Sequence, residues 1–224
     1  MKLGVLFSGG KDSYLALQYA SMEHDISCLL TLDSEKEDSW MFHTPAIEWT
    51  KLQAEAMGFN HLISKTSGVK EKELNDLYSI IKSAMEEHSI EGLVTGALAS
   101  VYQSTRIQRI CNDLGLWCFN PLWQMAQRDL LQELLSNNII SIITGVAAEP
   151  FDESWVGRKI DLACVTELLT MESRYHINPA GEGGEIESFV TNAPLFQKSI
   201  RISEHRSHYS NFSGYLEIME ASLE

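Results

Sequence analysis

SGGKDS, residues 8–13, lies between an apolar run at residues 3–7 and a segment of helical periodicity that begins at Tyr14. This order predicts a β-strand, a glycine turn and an α-helix. Gly9 and Gly10 let backbone N–H groups approach an anion closely, and the N-terminus of the following helix adds a partial positive charge. The stretch therefore predicts a turn that binds a phosphate chain.

The residues of this turn differ from those of two common nucleotide-binding loops. A kinase-type P-loop has four residues between its first glycine and a Gly-Lys-Ser/Thr ending, and a dinucleotide-binding loop reads GxGxxG. Neither pattern occurs at residues 8–13. A glycine-rich turn without a ligand is the alternative that the pattern leaves open.

The composition is that of a globular protein with one α/β domain and room for a smaller second domain, over 224 residues. No run reaches the ~20 apolar residues that a membrane helix needs, and a strand begins at the N-terminus, so we expect a cytoplasmic protein without a membrane partner. The 17 basic and 31 acidic residues give a net charge of −14. This charge disfavours a nucleic-acid partner.

Apolar and amphipathic segments alternate along the first two thirds of the chain. Strands are predicted at residues 26–32, 61–64, 92–95, 117–119 and 139–146, and helices at residues 45–57, 70–87, 102–114 and 126–136. This alternation predicts an α/β fold with a doubly wound, mostly parallel sheet. Such sheets bind ligands at the carboxyl ends of their strands.

The alternation ends near residue 146, where Pro150 and Gly157 interrupt the pattern. A helix at residues 160–173 and strands near residues 198–202 and 215–219 follow. We therefore expect two domains, a nucleotide-binding domain at residues 1–146 and a smaller C-terminal α+β domain at residues 147–224.

Three segments beyond the phosphate turn carry further candidate residues. Thr31, Leu32 and Asp33 end the second strand, where exposed backbone can contact adenine and ribose. Gly96 follows the fourth strand, and the next helix carries Tyr102, Gln103 and Arg106, of which the last two project from one face toward a phosphate or carboxylate. His43 lies in a loop with two aromatic residues, Trp40 and Phe42. A surface histidine and a solvated helix face are the alternatives.

The segment GEGGEIES, residues 181–188, combines three glycines with three carboxylates. In an extended chain Glu185 and Glu187 point to the same face, and their mutual repulsion raises the pKa of one of them. With Glu182, Gly183 and Gly184 they form a candidate site for a metal ion or an ammonium group. An acidic surface turn is the alternative.

SGGKDS resembles the PP-loop of the ATP pyrophosphatases, which cleave ATP between the α- and β-phosphates. The whole set of motifs is similar to one family, the diphthine–ammonia ligases among the N-type ATP pyrophosphatases. Ile186 departs from the aromatic residue that this family commonly has there. The matching motifs are SGGKDS (8–13), SWMFHT (39–44), TGALASVYQSTR (95–106), CNDLGL (111–116), PLW (121–123), WVGRKID (155–161), NPAGEGGEIES (178–188) and APLF (193–196).

The resemblance implies the adenine nucleotide alpha-hydrolase-like fold and an ATP-dependent amidation. The substrates would be ATP, ammonium and the diphthine side chain of translation elongation factor 2, and the products diphthamide, AMP and pyrophosphate. Ser8 to Ser13 would cradle the departing pyrophosphate and Lys11 would balance its charge. Asp12 would hold Mg²⁺, Arg106 would hold the incoming carboxylate, and Glu185 would act in catalysis.

Further binding residues follow from the same resemblance. Glu182, Glu185 and Glu187 would attract ammonium or the trimethylammonium group of diphthine, and Trp155 would add a cation–π contact. His43, Tyr102 and Gln103 would complete the substrate site. Another carboxylate such as a corrinoid side chain, a tRNA base, a non-catalytic ATP sensor and a homodimer are alternatives that the sequence leaves open.

Overall fold

The computed structural model describes residues 1–34, 46–67 and 72–224. Five strands form a parallel sheet in the order β3-β2-β1-β4-β5. Because β1 lies at the centre, the chain builds outward on one side and then crosses to the other, which opens a crevice beside the carboxyl ends of β1 and β4. The strands are β1 (Lys2–Leu6), β2 (Asp25–Ser34), β3 (His61–Thr66), β4 (Gly92–Val94) and β5 (Trp117–Phe119).

Helices cover both faces of this sheet. They are α1 (Lys11–Ser21), α2 (Thr50–Met57), α3 (Lys72–His88) and α4 (Val101–Leu114). Apolar residues of α1 and α2 belong to one buried cluster with Val5 and Leu29, and those of α3 and α4 belong to a second cluster with Leu30 and Leu93. Neighbouring residues of β2 thus enter different clusters, as the alternation of a strand requires. The predicted doubly wound α/β fold is confirmed.

The C-terminal part contains an antiparallel sheet in the order β7-β6-β9-β8. Its strands are β6 (Ile140–Ala147), β7 (Ile186–Asn192), β8 (Ile200–Ser210) and β9 (Ser213–Leu223). The helices α5 (Gln127–Ser136) and α6 (Leu162–Tyr175) and two short 3₁₀-helices (Ile47–Trp49 and Glu153–Trp155) complete the described elements. The C-terminal α+β organisation that the sequence predicts is therefore present.

One predicted strand lies in a different sheet from the one expected. The run at residues 139–146 was expected to extend the parallel sheet, but β6 pairs antiparallel with β7 and β9. An apolar run reports burial on both faces and carries no information about the direction of its partner. The domain boundary after residue 146 stays a prediction. This position falls inside β6, which ends at Ala147 and belongs to the second sheet.

The two sheets share one apolar core. The buried cluster that contains Val5 and Leu17 also contains Ile143, Phe189 and Leu216 of the second sheet. Tyr14 of α1 is fully buried, and its hydroxyl oxygen accepts a hydrogen bond of 3.0 Å from the backbone N–H of Leu195. The first helix therefore packs between the sheets, and its N-terminus is held near the second sheet.

A search of the described residues for a helix long and apolar enough to cross a bilayer finds none.

Gly96 sets how closely the β4–α4 connection approaches the start of α1. A Cβ atom at this position would lie 2.9 Å from the carbonyl carbon and oxygen of Asp12 and from the nitrogen of Ser13. We predict that Gly96→Ala lowers the free energy of unfolding by about 1–3 kcal/mol, because backbone atoms have to move. Urea denaturation measures this loss.

Gly4→Ala is the matched control. There the new Cβ would meet the side-chain ends of Leu30 and Ile90, which can rotate away. An equal or larger loss in Gly4→Ala would show that the β4–α4 contact is not specially constrained.

Candidate active site

A cleft of about 520 Å³ opens at the carboxyl ends of β1, β2 and β4 and is closed by the loop before β7. Both the phosphate turn and the acidic segment contribute to its walls, although they are more than 160 positions apart in the chain. The lining residues predicted from sequence are Ser8, Asp12, Ser13, Leu32, Gly96, Gln103, Glu182, Gly183, Gly184 and Glu187. Half of the predicted site residues therefore meet in one cleft.

The phosphate turn has the backbone form that its glycines predict. Gly9 adopts a φ of 79°, in the left-handed region that favours glycine. The backbone N–H and the hydroxyl of Ser8 donate to the hydroxyl oxygen of Ser13, at 3.3 and 3.2 Å, and this hydroxyl donates to the carbonyl of Gly10 at 3.0 Å. Gly10 is the N-cap of α1 and provides no capping side chain. The N-cap residue of the helix at the cleft therefore has no side chain that could occupy the place of an anion.

Lys11 and Asp12 form an ion pair beside this turn. Lys11 is 3% exposed, and its Nζ lies 2.9 Å from Oδ2 of Asp12. The other carboxylate oxygen, Oδ1, is buried and has no hydrogen-bond partner among the described residues. Because Asp12 lines the cleft, this oxygen can accept a cation or a donor from a bound molecule.

The same oxygen tests whether the site fits Mg²⁺. No group of three or more His, Cys, Asp or Glu side chains suited to a metal ion occurs within residues 1–34, 46–67 and 72–224. Mg²⁺ in nucleotide sites commonly uses one or two carboxylates together with phosphate oxygens and water. One unpaired carboxylate oxygen next to an anion-binding turn fits that arrangement.

Glu187 and Glu182 bring negative charge to the opposite wall. Glu187, on β7, is half-buried, and its removal from water raises its pKa from 4.5 to about 7; Asp12 adds to this rise and Lys11 opposes it. Oε1 of Glu182 accepts a hydrogen bond of 2.9 Å from the N–H of Ala99, and burial is the largest cause of its raised pKa. One lysine thus faces three carboxylates, so this part of the cleft favours a cation.

Glu185 holds the loop together and does not line the described cleft. Its Oε1 accepts hydrogen bonds from the backbone N–H and the side-chain amide of Asn178, at 3.1 and 2.6 Å, and its Oε2 accepts from the N–H of Gly183 at 2.9 Å. The expected rise in the pKa of one of the two carboxyls occurs at Glu187, but burial and Asp12 cause it, not Glu185. These hydrogen bonds give Glu185 a structural role, and its catalytic role stays a prediction.

Trp155 is another correction. Its side chain is 2% exposed, the Arg158 guanidinium lies 4.3 Å from its ring, and Phe151 packs edge-on at 5.1 Å. The predicted cation–π contact with a substrate is therefore not available. Arg158, three residues along the chain, makes that contact instead.

Of the α4 candidates, only Gln103 lines the cleft. Its backbone N–H donates to the N-cap hydroxyl of Ser100 at 3.3 Å, which fixes the start of the helix. The Arg106 guanidinium stacks 3.5 Å from the Tyr102 ring centre and donates to the Tyr102 carbonyl at 3.4 Å. The roles predicted for Tyr102 and Arg106 stay predictions, since neither belongs to the described lining.

Of the three candidate residues at the end of β2, one lines the cleft and two do not. Leu32 lines the cleft, whereas the hydroxyl of Thr31 is buried, donates to the Phe7 carbonyl at 2.6 Å and lies 2.8 Å from Nε2 of His61. Thr31 therefore supports the strand end rather than the cleft. Asp33 is half-buried outside the described lining. His43 lies outside the described residues.

Sequence reasoning missed four residues that position the site. Asn178 anchors Glu185. The side chain of Gln127 orients the amide of Asn178, because its Nε2 donates to Asn178 Oδ1 and its Oε1 accepts from the N–H of Ala180, both at 2.9 Å. Ser188 accepts a hydrogen bond of 3.1 Å from the backbone N–H of Lys11. Gln53 is fully buried and donates to the Gly9 carbonyl at 2.9 Å. The sequence signal that could have revealed Gln53 is a polar side chain among the buried residues of α2.

Comparison with known proteins agrees with this geometry. Residues 1–118 match the family model of the diphthamide synthase N-terminal domain, and residues 126–223 match that of the diphthamide synthase C-terminal domain. The chain is 35% identical to the diphthine–ammonia ligase of Bos taurus and 32% identical to that of Homo sapiens. Each alignment covers 100% of this chain and 93% of the relative. The chain therefore belongs to the diphthamide synthase family.

Proposed function

We propose that this protein is a diphthine–ammonia ligase that converts diphthine on translation elongation factor 2 to diphthamide, with ATP and ammonium as its other substrates. The observation that carries the proposal is one cleft that joins the start of α1, where the N-cap Gly10 leaves room for phosphates, to a wall of carboxylates, suited to a cation. The similarity to named diphthine–ammonia ligases over the whole chain supports the choice of acceptor. A cytoplasmic location is part of this proposal.

The phosphate turn stabilises the pyrophosphate that leaves ATP. Ser8 and Ser13 line the cleft beside the start of α1, where the N-terminus of the helix favours an anion. Lys11 is held beside it by its ion pair with Asp12. These groups are already in place before the reaction, so they stabilise developing charge with little rearrangement.

Asp12 would hold Mg²⁺ through its unpaired Oδ1. The ion supplies charge neutralisation on the phosphate oxygens when it is bound. Lys11 keeps the other oxygen, Oδ2, in a fixed position and so orients the carboxylate.

Glu187 and Glu182 attract ammonium or the trimethylammonium group of diphthine to the opposite wall. The diphthine carboxylate attacks the α-phosphorus of ATP, the bond to the β-phosphate breaks, and an acyl-adenylate and pyrophosphate form. Ammonia then attacks the acyl carbon, AMP leaves, and a proton of the attacking nitrogen passes to a base. Glu187 lies on the wall where ammonium would bind, and we assign it this role.

One prediction concerns the whole reaction. Incubation with ATP, Mg²⁺, ammonium and diphthine-bearing elongation factor 2 should yield a peptide about one mass unit lighter, together with AMP and pyrophosphate, since an amide replaces an acid. Mass spectrometry and nucleotide chromatography measure both products. Release of ADP, or an unchanged peptide alongside a modified corrinoid or tRNA, would refute the assignment.

Lys11→Met should lower amide formation by about 100-fold or more, because the cation beside the departing phosphates is lost. Lys82→Met is the matched control, since Lys82 is an exposed surface residue of α3. Initial rates at saturating ATP measure both. Equal rates for the two variants would remove Lys11 from the reaction.

Glu187→Gln should lower amide formation by about 10²- to 10⁴-fold while ATP affinity changes little, because a proton acceptor is lost. Glu86→Gln, at an exposed position on α3, is the control. Loss of ATP binding equal to the loss of rate would place Glu187 at the nucleotide instead.

The raised pKa of Glu187 also predicts a stability change without any substrate. The folded state holds a proton at Glu187 up to a pKa of about 7, whereas the ordinary value is 4.5, so the stability of the wild type falls as pH rises through this window. Glu187→Gln removes the titrating group. Between pH 4.5 and 8 the free energy of unfolding of this variant should therefore rise by up to about 3 kcal/mol relative to that of the wild type. Urea denaturation in EDTA at both pH values measures it, and a constant difference would contradict it.

A further inference from the structure

We propose that Gln53 is a positioning residue that couples the phosphate turn to the carboxylate wall, formed by Glu182 and Glu187. It does so by holding the backbones of Gly9 and Val190 at a fixed position relative to each other. The proposal rests on the function given above, in which the two walls act on one reaction. Gln53 does not line the described cleft. It acts through the backbone of the two segments that do.

The first step is that the phosphate turn closes the free edge of the second sheet. β7 is the end strand of its sheet, and among the described strands it pairs only with β6. On its other side the N–H of Val190 donates to the Gly9 carbonyl at 3.0 Å, and Ser188 Oγ accepts from the N–H of Lys11 at 3.1 Å. The turn therefore lies hydrogen-bonded against the free edge of β7.

We call the contact of Gly9 and Lys11 with Val190 and Ser188 the seam. The second step is that Gln53 is hydrogen-bonded to both sides of this seam. Its Nε2 donates to the Gly9 carbonyl at 2.9 Å and to the Val190 carbonyl at 2.7 Å. Because both carbonyls can only accept, the amide nitrogen has to face them. Gln53 and Val190 are fully buried, so water cannot replace these bonds.

The third step is that Gln53 and Gly9 interlock sterically. A Cβ atom on Gly9 would collide with Oε1 of Gln53 and lie 3.1 Å from Thr50 Cγ2. A shift of the turn along β7 therefore has to displace the side chain that holds it. The glycine at this position serves the seam as well as the phosphate.

The consequence follows from where the two joined segments lead. The turn continues into Lys11 and Asp12, and β7 begins at Ile186, next to Glu187. A movement of the turn on binding a phosphate chain thus reaches the carboxylate wall through Val190. Residues in such a connection alter the coupling between two sites without contacting either ligand.

Gln53→Met tests this inference, because methionine keeps the length of the side chain and loses both donors. In the wild type, ATP with Mg²⁺ should slow hydrogen exchange of the peptide that covers residues 186–192. In Gln53→Met this protection should be lost although ATP still binds. The number of pyrophosphates released per amide formed should rise by about 2- to 30-fold, the range expected for loss of such a coupling.

Gln18→Leu is the matched control. Gln18 is a buried glutamine of α1 whose Nε2 donates to Asn137 Oδ1 at 2.8 Å, away from the seam. Its replacement should lower the free energy of unfolding and leave both the protection and the product ratio at wild-type values. A structural role alone would make the Gln53 and Gln18 variants behave alike.

Gln53→Glu is a second variant, for the case that Gln53→Met does not fold. A protonated carboxyl keeps one donor, and burial raises the pKa of a glutamate at this position. The product ratio should therefore approach that of the wild type at pH 6 and depart from it at pH 8. A ratio that matches the wild type at both pH values, or unchanged protection in a folded variant, overturns the inference. If the wild type forms no amide, the proposed function fails, while the exchange experiment still decides the role of Gln53.

Discussion

The hydrogen bond from Val190 to the Gly9 carbonyl, with the glutamine that spans it, is the contact on which the site depends. It places the edge of an antiparallel sheet against the turn of a parallel one, and the walls of the cleft meet there. An unpaired buried N–H or C=O costs about 1–3 kcal/mol, so separation of the two segments would leave several such groups unsatisfied. The fold and the site are thus stabilised by the same bonds, and the catalytic geometry does not depend on flexible surface loops alone.

The electrostatics of the cleft follow from this seam. Lys11 is almost fully buried, which is costly for a charge unless carboxylates stand close by, and Asp12 at 2.9 Å provides one. Glu182 and Glu187 add further negative charge on the facing wall. A triphosphate alone would meet repulsion from these groups, whereas a triphosphate with a divalent cation, or with ammonium on the acidic wall, would not. The charges of the cleft therefore favour ATP together with a cation over ATP alone.

Sequence reasoning predicted what depends on neighbours in the chain. The parallel strands, the helices and the turn at Gly9 follow from local periodicity and glycine placement, and the family resemblance is confirmed by matches over nearly the whole chain. It failed where the pairing of strands or the contacts of individual side chains decide. The strand β6 has the same apolar pattern whichever sheet it joins, and Trp155 could not be seen to lie under Arg158. Glu185 was assigned to the face of Glu187 by two-residue spacing, but Gly184 has a φ of 84° and β7 begins only at Ile186.

Glycine in a phosphate turn is usually explained by the ligand, and here packing demands it as strongly. Gly9 is required by the amide of Gln53 and Gly96 by the backbone of Asp12, with no phosphate present in either contact. A glycine pattern alone therefore cannot distinguish a binding turn from a tightly packed one. The distinction comes from the N-cap Gly10, which has no side chain, and from the buried Oδ1 of Asp12, which lacks a hydrogen-bond partner among the described residues. A turn that served packing alone would gain stability from a partner for that oxygen, since an unsatisfied buried polar atom is costly.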